Sequence, residues 1–103
     1  MSETVLYSDA ALAMLKTQLG YHGTDIPTEI DTQLKADLIY AYKAITRSGV
    51  SLTVGNVFDD QLQAMYAHWL YRKRRDGSAK PPMITQEIRD RQIANALSEE
   101  VSE

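Results

Sequence analysis

Residues 58–77 read FDDQLQAMYAHWLYRKRRDG. Phe58, Leu62, Met65, Tyr66 and Trp69 follow one another at spacings of four, three, one and three, which lines them along one helical face. Asp59 and Asp60 favour the positive end of the helix dipole, and Arg72, Lys73, Arg74 and Arg75 favour the negative end. Asn56 or Asp59 can cap the start, and Asp76-Gly77 forms the turn that stops it. The segment therefore predicts a helix over 58–75, closed by a Pro-containing loop.

Working outward, three more helices can be drawn. Residues 9–19 have Ser8 as N-cap, Leu12, Leu15 and Leu19 on one face, and Gly20 as the stop. Residues 29–47 have Thr28 as cap, Asp31 at the capping-box position, and a buried stripe of Ile30, Leu34, Leu38, Ala41, Tyr42 and Ile45. Residues 82–97 follow Pro81-Pro82, since proline is tolerated in a first helical turn, and Glu87 and Arg91 make an i,i+4 pair. Between the second and third helices, Val50-Ser51-Leu52-Thr53-Val54 alternates apolar and polar, a short strand signal near 50–54. One strand cannot stand alone, so it predicts a partner, either the segment Thr4–Tyr7 or a neighbouring subunit. The expected fold class is all-α with about four helices: residues 1–97 form one domain and 98–103 an acidic flexible tail.

The chain of 103 residues suits one small domain with one core. The absence of cysteine excludes disulfides, thiolate zinc sites and cysteine nucleophiles. The longest apolar runs are a few residues, which predicts no membrane contact by a spanning segment, and MSETVLYSDA reads as no secretory signal. The net charge of −3 is unevenly placed. Residues 1–71 sum to −4, residues 72–91 to +4 and residues 92–103 to −3. A chain bipolar in this way suits docking between unlike surfaces better than wrapping nucleic acid, which usually takes a strongly basic domain.

No residues group into a catalytic set, a cofactor site or a metal site. His22 and His68 are far apart, and neither has a second ligand at metal spacing. The basic run Arg72–Arg75 reads as a helix end with a solvated face, or as a contact with phosphates or an acidic protein surface such as the acidic tail of a neighbouring copy. Ala64, Ala67 and Tyr71 lie opposite the Trp69 stripe, and Tyr40 with Ala36 and Ala44 makes a similar face on the second helix. Such faces mark either the second covered side of a central helix or a subunit interface, where Tyr and Arg are enriched. A helix-turn-helix does not fit, because about eight residues separate the second and third helices where that motif uses a three- to four-residue turn.

The order and texture of the segments resemble the small head–tail connector, or head-completion adaptor, proteins of long-tailed bacteriophages and prophages. The similarity runs through ALAMLKTQLG, then TEIDTQLKADLIYAYKAITRSG, then LQAMYAHWLYRKRRDG with its His-Trp-Leu-Tyr-Arg core, then PPMITQEIRDRQIANAL, and covers residues 10–97. The fourth helix is more polar than the family pattern, and Leu97 with an acidic tail stands where that pattern often has a basic residue. The resemblance implies no enzyme. It implies a virion structural protein of the neck, present in the host cytoplasm during assembly. Such a protein forms a dodecameric ring with itself under the portal protein. The ring extends the DNA channel without sequence-specific binding and docks the next neck or tail-completion protein. On that reading Tyr40, Tyr71, Arg72, Arg74 and Arg75 contribute to contacts with neighbouring subunits or the portal. The alternative is a small DNA-binding or regulatory helical domain that uses the 72–75 basic run.

Overall fold

Ser8 starts the first helix as its sequence demands. Its backbone is extended, its hydroxyl oxygen accepts from the Ala11 N–H at 3.0 Å, and its own proton goes to Asp60 Oδ2 at 2.7 Å. One side chain thus caps a helix and ties it to another. The computed structural model describes residues 6–21, 26–77 and 79–101. Among them, four helices follow in order: α1 (Asp9–Gln18), α2 (Thr28–Arg47), α3 (Val57–Asp76) and α4 (Pro82–Val101). The all-α expectation holds. His22 lies outside the described residues.

Helix ends follow local chemistry. At the end of α1, Tyr21 N–H reaches Lys16 O at 2.8 Å and Gly20 N–H reaches Thr17 O at 3.0 Å, with Gly20 at φ +85°. That is a Schellman closure, and its left-handed residue strongly favours glycine. Asn56 caps α3 by accepting from the N–H groups of Phe58 and Asp59, and Gly77 closes it in the left-handed region. The capping expected of Thr28 does not occur. Thr28 is the first helical residue, Pro27 holds the cap position, and no side chain caps α2. Asp31 makes no capping box. It meets Lys16 of α1 and Lys35 of its own helix at 2.9 Å each, and these hydrogen-bonded ammonium groups, Lys35 first, hold its carboxyl below the usual range.

The strand expected near 50–54 is absent, and the described residues contain no strand. Val50 and Leu52 are buried and Ser51 and Thr53 are exposed, so the alternation is real, but it serves an extended connection that plugs two apolar side chains into a helical core. Side chains replace the missing partner strand: Thr53 N–H donates to Asp59 Oδ2 at 2.8 Å and Gly55 N–H to Asp60 Oδ1 at 3.2 Å. The fourth helix also runs on past Leu97 to Val101, so the first part of the expected acidic tail continues a helix.

The core joins Leu15 from α1, Leu34, Leu38, Ala41 and Ile45 from α2, Leu62, Ala64 and Ala67 from α3, and Ile84 from α4. Each fully buried Leu or Ile contributes about 1.5–3 kcal/mol. The third helix is central. It packs on α1 and α2 along one side, and more sparsely on α4 along the other. Residue pairs fix the directions: Ser8–Asp60 and Tyr21–Tyr71 run α1 parallel to α3, whereas Asp59–Arg91 with Trp69 close to Met83 runs α4 antiparallel to it.

The radius of gyration is 14.7 Å, with extents of 51 × 38 × 20 Å. A compact domain of this length would be near 13 Å. The excess fits α4, whose buried residue is Ile84 in its first turn while Ile93 and Leu97 stand in solvent. Ile88 packs at the edge of the core, and beyond it the helix is held by polar ties. Arg91 pairs with Asp59 and donates to Phe58 O, and Gln92 Nε2 donates to Ser48 O at 2.7 Å.

Candidate functional site

Successive residues of an α-helix point about 100° apart, so four consecutive cations cannot share one face. The basic run fans out accordingly. Arg74 turns toward α2 and donates two parallel bonds of 2.7 Å to the carboxylate of Asp37, which is 3% exposed. Gln33 adds a 3.3 Å bond to the same carboxylate. This bidentate pair ties α3 to α2 and engages Arg74 inside the subunit. Arg75 donates to Tyr71 Oη at 2.8 Å and lies 5.4 Å from the centre of that ring. Tyr71 Oη shares a 3.2 Å hydrogen bond with Tyr21 Oη. That bond and the one from Arg75 hold the Tyr71 phenol below its usual range, and the bond to Tyr71 raises the phenol of Tyr21.

Arg72 and Lys73 point the other way, toward α4. Arg72 approaches Asp76 only to 3.7 Å and stays solvated, while Lys73 Nζ lies 5.0 Å from the Trp69 ring centre. Tyr40 is on none of these faces. It stands 61% exposed on the outside of α2.

The side of α3 toward α4 is incompletely covered. An open hollow of about 380 Å³ lies between Met65, His68, Trp69 and Arg72 of α3 and Ala79, Pro81, Met83 and Ile84 of the segment entering α4. Trp69 is fixed edge-on against Tyr66, with ring centres 5.4 Å apart at 85°. Lys80 Nζ lies over both rings, at 5.2 and 5.1 Å. Partial burial, and secondarily Arg72, push the His68 imidazole below its usual value, so it is neutral at neutral pH. The hollow has an apolar, aromatic floor with Arg72 in its wall, and Lys73 and Lys80 lie against the Trp69 ring beside it. Chemically it suits an apolar side chain flanked by carboxylates. It contains no nucleophile paired with a base. Among the described residues no three His, Cys, Asp or Glu side chains gather in a way that would hold a metal ion. No helix among them is long and apolar enough to cross a membrane.

Beside the hollow, Phe58 is 70% exposed at the start of α3, next to a depression shared with Met83, Glu87 and Arg91. On the outer side of α4, Ile93 and Leu97 are 53% and 57% exposed, one helical turn apart.

Of the residues singled out in the sequence, Tyr71, Arg74 and Arg75 face α1 and α2, Arg72 rims the hollow, and Tyr40 stands apart. The structure does not bring them together. The face of Ala64 and Ala67 is the second covered side of a central helix. Sequence reasoning missed Lys80 and Pro81 as parts of a surface with Trp69. The signal was the Lys-Pro-Pro-Met run, which brings a cation and apolar groups back past the aromatic helix.

Comparison with family models, with curated proteins and with solved structures found no match to this chain.

Proposed function

We propose that this chain is a virion structural protein, a head–tail connector subunit. It assembles into a ring under a portal protein, extends the DNA channel and offers the next neck or tail-completion protein a docking surface. The observation that carries the reading is the uncovered apolar surface of a subunit whose core is already closed. Phe58, Met83, Ile93 and Leu97 on α3 and α4, with Tyr40 on α2, face solvent as large apolar groups. Neighbouring exposed apolar groups mark an interaction surface, and Phe58 with Met83 beside one depression, and Ile93 with Leu97 one turn apart on α4, are such neighbours. A ring needs two unlike surfaces per subunit, which meet head to tail and close by rotation.

The order of helices supports the reading, since it is the order expected from the resemblance in 10–97. The charge does too: a channel that lets DNA slide should not grip phosphates, and the chain is acidic overall with its basic run dispersed. The same dispersal counts against the DNA-binding alternative. Arg74 is engaged by Asp37 and Arg75 by Tyr71, so the run offers no continuous cationic face.

Electron microscopy and sedimentation velocity test this, on the chain alone and with the portal protein of the same genome, with a labelled duplex present at low salt. Annular particles, free or seated on portal rings, without co-sedimenting duplex are the expected result. A chain that ignores the portal and carries duplex with an affinity falling steeply with salt would overturn it.

A further inference from the structure

We infer that the hollow at Trp69 receives the acidic end of α4 from a second copy of this chain, in a head-to-tail contact. The inference rests on the reading of the chain as a self-assembling ring subunit and names the contact that would build the ring.

Two surfaces on one subunit complement each other. The hollow offers Met65, Trp69, Pro81 and Met83 as floor, with Arg72 in its wall and Lys80 beside it over the Trp69 ring. The far end of α4 offers Ile93 and Leu97 in solvent, followed in the sequence by Glu99 and Glu100. Arg72 and Lys80 put positive charge beside the hollow, and residues 92–103 sum to −3, so the charges match as the apolar groups do. Opposed charge of this kind sets register and speeds encounter.

Geometry makes the contact intermolecular. The hollow sits at the first turn of α4, where Met83 and Ile84 line it. Glu99 lies fifteen residues further along the same helix. At 1.5 Å per residue that is about 20 Å away along the helix. The acidic end cannot reach its own hollow while α4 remains helical. It can reach the hollow of another copy, which leaves that copy's acidic end free for the next. Such a chain of contacts either closes into a ring or grows as a filament.

The contact is tested by sedimentation velocity over a concentration series at low salt, with Trp69 emission read in parallel. Trp69 is the only tryptophan, so its emission reports on the hollow alone. The wild-type chain is expected to self-associate with a shift in that emission. Reversing the cations at the hollow (Arg72→Glu with Lys80→Glu) or the helix end (Glu99→Lys with Glu100→Lys) should weaken association by about tenfold or more. Combining all four substitutions in one chain restores the net charge of −3 and should restore association. Leu97→Ser, which changes no charge, should weaken it as well. Far-UV circular dichroism and an unchanged urea midpoint establish that each variant is folded. A wild-type chain that stays monomeric at low salt overturns the inference, as does association that neither reversal alters or that the fourfold variant fails to recover. Any of these leaves rings seen on a portal untouched. Conversely, head-to-tail association without portal binding would sustain the contact and sink the connector reading.

Discussion

The two faces of α3 reverse the expectation that the more apolar face is the more buried. The face with the large side chains is only partly covered: Leu62 and Tyr66 are buried, but Met65 and Trp69 are half-covered and Phe58 stands open. The opposite face carries Asp60, Gln63, Ala64 and Ala67, and all four are buried. Size and hydrogen bonding explain the reversal. Two alanines let α1 and α2 approach closely, and each polar group on that face has a dedicated partner. Asp60 accepts from Ser8 and Gly55, and Gln63 Nε2 donates to Leu6 O at 2.7 Å and Leu38 O at 2.9 Å. No buried polar side-chain atom among the described residues lacks a partner. The closed face makes the fold, and the open face is left for something else to cover.

The largest effect should come from overfilling the closed face. Ala67→Leu forces a branched side chain between packed helices and should cost about 1–3 kcal/mol, read as a lowered urea midpoint. Next comes Arg74→Ala, which strands the buried Asp37 carboxylate with only Gln33 beside it. It should cost about 2 kcal/mol, less than a fully buried pair because half of the arginine side chain is in water. Lysine at that position should recover only part of the loss, since it cannot make the two parallel bonds. On the open face, Phe58→Ser should leave stability within about 0.5 kcal/mol of wild type. An equal loss on both faces would erase the distinction.

The smallest effect is one of pH. His68 has its folded-state value lowered, by partial burial first and Arg72 second. The folded state therefore binds fewer protons than the unfolded one just below the usual histidine value. Stability should fall modestly as pH drops from about 6.5 toward the lowered value. Urea midpoints between neutral and mildly acidic pH should show this slope, and His68→Asn should flatten it.

What the sequence showed plainly was local chemistry. Ser8, Gly20, Asn56 and Gly77 act where they stand, because caps and left-handed turns depend on a few neighbouring residues. The α2 stripe from Ile30 to Ile45 was legible for the same reason. What depended on distant partners was not. Asp31 sits where a capping box would place it, yet two lysines claim its carboxylate, one of them from α1. Val50–Val54 has a strand's alternation, but the surface waiting for Val50 and Leu52 was a helical core. The direction of each cation in 72–75 follows from helical phase, whereas the carboxylate waiting for Arg74 was 37 residues away. The hollow was hidden because it joins α3 to the Lys80–Ile84 segment.

Hydrogen exchange by mass spectrometry, on dilute and on concentrated protein, bears most directly on the claim that one face of α3 makes the fold and the other awaits a partner. In dilute protein, amides of α2 and α3 should exchange only through global unfolding, while those from Gln92 to Leu97 open locally and exchange far faster. On concentration, residues 79–84 and 92–97 should gain protection together, with α2 unchanged. Protection in α4 equal to that of α2 in dilute protein, and unmoved by concentration, would contradict it.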